Sequence, residues 1–149
     1  MSNKREIVQS VVRGIRQDIE GYKQLKSMLQ RQRDLMQRRD NHGLKYHNGH
    51  QTTLCGHLQQ RARLRSEGLI SLGFTGDAKG MEKLIAKLPV QASIQVKLLW
   101  ENLLLLVKES QKVNEANGKL LAGQHEVISS LLNRDMPQNI DYGAPQTTP

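Results

Sequence analysis

Between Val96 and Leu131 the chain carries one uninterrupted seam: Val96, Leu99, Leu103, Leu106, Ser110, Val113, Asn117, Leu120, Gln124, Val127 and Leu131 recur at alternating steps of three and four residues. Such steps keep residues on one face of an α-helix. A second line in the same heptad, formed by Trp100, Val107, Asn114, Leu121 and Ile128, adds a third position in every seven. A two-stranded coil needs two such positions. The spacing therefore predicts a helix over about residues 90–132 that packs against more than one neighbour. Pro89 can open it, because its missing amide hydrogen would have no intrahelical partner there.

Upstream, Val8, Val12, Ile15, Ile19, Tyr22, Leu29 and Met36, widened by Val11 and Leu25, predict a first helix over about residues 4–40. Lys26 and Arg33 fall on this seam, where a long aliphatic stem can lie along apolar surface with its charge at the edge. Asn41-His42-Gly43 reads as a helix stop, since glycine accepts the left-handed conformation that ends many helices. Leu54, Leu58, Ala62, Leu69 and Leu72 predict a second helix over about residues 44–72, folded back on the first as an antiparallel hairpin. Its tip, almost wholly polar from Tyr46 to Thr53, should be poorly packed. Asp77 caps a short helix over residues 78–87, which Pro89 limits. Residues 133–149 hold three of the four prolines and no periodicity, the pattern of a disordered tail.

The expected fold is all-α: an elongated antiparallel bundle of three long helices and one short one in a single domain over residues 1–132, with a flexible tail over 133–149. Composition agrees, because only 3% of the 149 residues are aromatic and strand-forming residues are scarce. At 1.5 Å per residue the predicted long helices measure about 55, 43 and 64 Å in chain order, so the last outruns the second by about four turns. The apolar stripe near its end, from Leu120 to Leu132, then lacks a full set of covering partners. Such a groove suits an amphipathic helix from another chain, which would complete the bundle.

Other chemistries find little support. The most apolar stretch, Leu98 to Val107, is broken by Glu101 and Asn102 and is about half the length of a membrane span, so no membrane insertion is expected. A single cysteine, Cys55, and a polar start without an apolar run point to the reducing cytoplasm. His47, His50, Cys55 and His57 cluster in the second helix, but their spacing spreads them along and around it, so solvated histidines are favoured over a metal site. No phosphate-binding loop or nucleophile elbow occurs, and the acidic residues fall on predicted solvent faces. We expect neither an enzyme nor a cofactor.

The formal net charge of +8 lies wholly in the first half, where residues 1–73 hold 14 basic and 6 acidic residues. Arg31, Arg33, Arg38 and Arg39, then Arg61, Arg63 and Arg65, could follow phosphates. The alternative reading is thus a basic helical nucleic-acid-binding or adaptor protein. It is disfavoured because the arginines are spread around the helices and only Tyr22, Tyr46 and Phe74 could stack bases in that half. A homodimer whose seam is filled by a second copy is a further alternative. Asn114 and Asn117 on the buried side of the last helix read as register-setting amides.

The order of features from about Glu6 to Gly143 resembles the bacterial flagellar export chaperone family FlgN. The residues that carry the resemblance are Gly80-Met81 with Leu84 and Leu88-Pro89, then Leu99-Trp100, then Asn114-Glu115-Ala116-Asn117-Gly118 with Leu120-Leu121, and finally Tyr142-Gly143. The resemblance implies a cytoplasmic, non-enzymatic type III export chaperone. Such a protein holds the C-terminal helical segments of the hook-filament junction proteins FlgK and FlgL and brings them to the export gate protein FlhA. It maps client binding to Asn117, Leu120, Leu121, Gln124, Val127, Ile128, Leu131 and Leu132, and gate docking to Tyr142 and Gly143. Trp100, Asn114 and Gly118 are expected to set structure and register.

Overall fold

A computed structural model of the chain describes residues 3–119. Among them there are four helices and no strand: α1 (Asn3–Gln37), α2 (Asn41–Ser71), α3 (Ala78–Lys87) and α4 (Val90–Gly118). Three long helices and one short one are what the periodicity predicts. The turn between α1 and α2 is built differently from expectation. Asn41, His42 and Gly43 do not stop a helix but begin α2, because the Asp40 carboxylate accepts a hydrogen bond from the Gly43 amide at 2.9 Å and caps the helix one residue earlier. The left-handed residue of the turn is Arg39, at φ 57°, and not a glycine.

α1 is the central helix and packs against both α2 and α4. Toward α2 its partners run in opposite order: Val11 lies against Gly68, Asp18 against Arg61 and Arg65, Gly21 against Leu58, and Gln32 against Asn48. Toward α4 they run in the same order: Val8 and Val12 share a groove with Ala92 and Val96, Lys26 meets Glu109, and Leu29 meets Asn117. The architecture is thus up-down-up, with α1 antiparallel to α2 and parallel to α4. Lys26 behaves as its position on the seam implies, half-buried and 3.0 Å from Glu109. Arg33 is exposed, and its neighbour Gln32 takes the interior place.

α3 closes the end of the bundle where α2 hands over to α4. Its Met81, Leu84 and Ile85 are buried in the same core as Val11, Ile15, Leu69, Val96 and Trp100. The turn before it is tight: a Cβ on Gly80 would run into the Thr75 carbonyl, so only glycine fits that approach. Asp77 caps α3 by accepting from the Gly80 amide at 3.0 Å and from the Thr75 hydroxyl at 2.6 Å. Both bonds favour the ionised carboxylate and hold its pKa below the usual value.

Candidate functional site

The interior of the bundle changes character along its length. Around α3 it is apolar. Further along, Gln32, Gln51, Ser110, Asn114 and Asn117 are all buried. Asn117 Nδ2 donates to the Leu29 carbonyl at 2.8 Å and to Gln32 Oε1 at 3.1 Å, and Gln32 Nε2 donates in turn to Asn48 Oδ1 at 2.8 Å. This chain of amides crosses from α4 through α1 to α2. The hairpin tip is therefore stitched by polar bonds, including one of 2.7 Å between His47 Nε2 and the Met28 carbonyl, and is less loose than its composition suggests. Burial is not matched by pairing throughout, since both side-chain polar atoms of Gln51, Ser110 Oγ and Asn117 Oδ1 have no hydrogen-bond partner. Each such group costs about 1–3 kcal/mol where water does not reach it.

A second buried polar group sits nearer the apolar end. Asp18 is buried, contrary to the expectation that every acidic residue faces solvent, and its two oxygens accept from Arg61 Nε and Arg65 Nη1, each at 2.6 Å. The Arg65 guanidinium also lies 5.5 Å from the centroid of the Trp100 ring, joining α1, α2 and α4 at one level. The sequence held a signal for this. Val11, Ile15, Asp18, Tyr22, Leu25, Leu29 and Gln32 keep heptad steps in α1, as do Gln51, Cys55, Leu58, Ala62, Arg65 and Leu69 in α2. A charge at the same level of each seam announces a pair. Cys55, not Leu54, occupies that α2 seam, and burial pushes its thiol up to about 11.

These contacts also take two arginines out of the phosphate-tracking set, while Arg31, Arg33, Arg38 and Arg39 stay exposed. Arg61 and Arg65 turn inward to Asp18, leaving Arg63 as the exposed member of that cluster. Of the aromatic residues available for stacking, Tyr22 is buried, Phe74 is half-buried, and Tyr46 packs edge-on to His50. Among the described residues no cluster of histidine, cysteine and carboxylate side chains has the geometry of a metal site.

Four of the seven exposed large hydrophobic residues among the described ones lie on α4. Val90, Ile94, Leu98 and Leu105 are between 54% and 75% exposed on one stripe of that helix, opposite its buried face. By length and mean hydropathy, 1.2 in its most apolar window, α4 could even cross a membrane. Its other face, however, is committed to the bundle core through Val96, Trp100, Leu103 and Val107. Periodicity alone missed the stripe because it belongs to neither buried line. The signal was the all-round apolarity of the segment from Leu98 to Val107. A groove of about 440 Å³ between α1 and α4, lined by Val8, Val12, Leu88 and Ala92 with Arg13 and Arg16, adds to the open surface at that end.

Of the residues singled out from the sequence, Trp100, Asn114 and Asn117 lie buried on α4, and Gly118 is half-buried as its last residue. Asn117 is thus engaged with α1 rather than open to a partner. Leu120, Leu121, Gln124, Val127, Ile128, Leu131, Leu132, Tyr142 and Gly143 lie outside the described residues, as do the predicted final third of the last helix and the tail.

Four helices around an amide-stitched interior, with an open apolar stripe on α4, define an all-helical bundle protein. Comparison with known families makes this specific. The model of the FlgN protein family matches residues 1–148, and the chain belongs to that family. Its role is accordingly in building the bacterial flagellum. The crystal structure of a flagella synthesis protein FlgN from Pseudomonas aeruginosa has the same fold, with a TM-score of 0.71, 22% identity, and 80% of this chain and 91% of that one covered. Comparison with curated proteins gives no match.

Proposed function

We propose that this chain is a cytoplasmic, non-enzymatic flagellar export chaperone. It holds the C-terminal helical segments of the junction proteins FlgK and FlgL, prevents their premature assembly, and hands them to the export gate protein FlhA. The observation that carries this reading is the unpartnered apolar surface of α4 in a chain of the FlgN family. A client segment would fold against Leu120, Leu121, Gln124, Val127, Ile128, Leu131 and Leu132, at the base of which Asn117 ties α4 to α1. The client meets its ordering cost on binding, which keeps affinity moderate and makes release at the gate easy. Each 1.4 kcal/mol lost there weakens binding about tenfold, so no nucleotide hydrolysis or cofactor is needed. Tyr142 and Gly143 supply the gate-docking element.

The test is isothermal titration of the full chain with a C-terminal FlgK or FlgL segment at low and high salt. Apolar docking gives binding that hardly changes with ionic strength and a negative heat-capacity change. Leu121→Asp combined with Ile128→Asp should abolish it with helix content retained. Tight binding to RNA that falls steeply with salt, and none to either segment, would refute the reading.

A further inference from the structure

The groove between α1 and α4 is an open surface of a different build from the stripe. α2 covers the side of α1 that carries Val11, Asp18 and Gly21, and contributes no residue to the groove's lining. The floor is therefore the outer flank of the core itself: Val8, Val12 and Leu88 are half-buried against it, and Val96 is buried. Because α1 and α4 run parallel, the furrow follows both axes. From Val8 to Arg16 it extends about 12 Å of helix rise, room for about two turns of a third helix laid alongside.

Its two walls differ in charge. Arg13 and Arg16 stand exposed on the α1 wall, and neither has an acidic partner among the described residues. Of the acids near them on that helix, Asp18 is committed to Arg61 and Arg65, and Glu20 to Lys23 at 3.5 Å. Glu6 lies about 10 Å of helix rise from Arg13. The α4 wall is uncharged, with Ala92 and Gln95. An apolar furrow with one cationic wall fits an occupant that has an apolar face and carboxylates along one edge. No aromatic residue lines it, so it offers no platform for a nucleic-acid base. A two-fold pairing through this patch would set one concave surface against another and gather the arginines of both copies, which disfavours a second copy.

We propose that this groove is a docking site for an acidic amphipathic helix of another protein, laid along α1 and α4 at the α3 end of the bundle. Apolar residues of that helix, at steps of three and four, rest on Val8, Val12, Leu88 and Val96. Carboxylates three or four positions apart along its edge face Arg13 and Arg16, which are themselves three apart on α1. The groove at Val96 stands about 31 Å of helix rise from Asn117, where the client surface of the proposed function begins. It is separate from that surface, so the protein can hold both partners at once.

The test titrates the isotope-labelled full chain with a synthetic helical peptide of about 14 residues, with leucines at steps of three and four and glutamates along one edge. Amide signals of Val8, Val12, Arg13, Arg16, Ala92 and Gln95 should shift, and those of Leu98 and Leu105 should not. Arg13→Glu with Arg16→Glu, both at exposed positions, should weaken binding about tenfold or more with helix content unchanged. The same variant should bind a peptide whose glutamates are replaced by lysines. Shifts centred on Leu98 and Leu105, binding that survives the charge reversal, or no binding to the full chain overturns the proposal. Groove signals that move with protein concentration alone overturn it in favour of a second copy. A saturating FlgK or FlgL segment should leave the peptide's affinity unchanged, and displacement of the peptide would overturn the proposal by making the groove part of the client surface. Should client titration fail while peptide binding stands, the chaperone reading falls and the groove does not.

Discussion

Asp18 of α1 and Arg65 of α2 meet at 2.6 Å with their side chains 1% and 8% exposed, and the other face of the Arg65 guanidinium is turned to Trp100 of α4. One carboxylate thereby fixes the level of two helices against a third. A buried pair of this kind adds little net stability over an apolar packing of the same shape, but removing one member leaves an uncompensated charge inside.

Asp18→Ala should accordingly destabilise the protein by about 3 kcal/mol, with Arg65 and part of Arg61 left facing an empty place. Urea denaturation followed by circular dichroism measures it. A change below about 1 kcal/mol would mean that water reaches the pair and screens it.

Gln51 gives the opposite sign. Its side chain is buried on the α2 seam and neither polar atom has a partner. Gln51→Leu, close in volume, should stabilise the bundle by about 1 kcal/mol, read as a rise in the denaturation midpoint. A loss of stability would show that the amide is satisfied by water inside.

The Cys55 thiol is raised from 9.0 to about 11 by burial, so the folded state favours the protonated form. Its contribution to stability is complete below pH 9 and is lost as the pH rises toward 11. At about pH 8 the folded protein should react with a thiol reagent only through opening of the bundle, far more slowly than the urea-unfolded chain. Equal rates in the two states would contradict the burial.

Asp77 responds to acid. Its pKa lies below the ordinary value of 3.8 because the Thr75 hydroxyl and the Gly80 amide both donate to the ionised carboxylate. The unfolded state therefore takes up the proton first, and the cap's contribution, complete above that ordinary value, fades as the pH falls through the folded one. Amide exchange in the first turn of α3 should accelerate in acid in the native chain and show no such step in Asp77→Ala.

Most of the frame could be read from spacing. The heptad steps of α4 and the seams of α1 and α2 predict three long helices, and Asp77 and Pro89 mark the ends of the short one. What escaped was local polar chemistry. Asp40 outcompetes Gly43 for the turn because a carboxylate cap satisfies an otherwise orphaned amide, whereas a glycine only permits a conformation. Asp18 reads as a surface residue until Arg65 is placed on the facing seam. The expected client face from Leu120 to Leu132 lies outside the described residues, and the open stripe through Leu98 escaped the sequence reading because its residues belong to no single buried line.

The parallel course of α1 and α4 also bears on assembly. Side-chain hydrogen bonds between α1 and α2 join residues 16 to 47 positions apart, whereas those between α1 and α4 join residues 83 to 88 apart. Closing the longer loops costs more chain entropy before any contact rewards it. The two amino-terminal helices emerge from the ribosome first and already possess their mutual contacts, so they form the nucleus on which α4 condenses last. Substitutions between α1 and α2 should slow refolding, while those on α4 should chiefly speed unfolding.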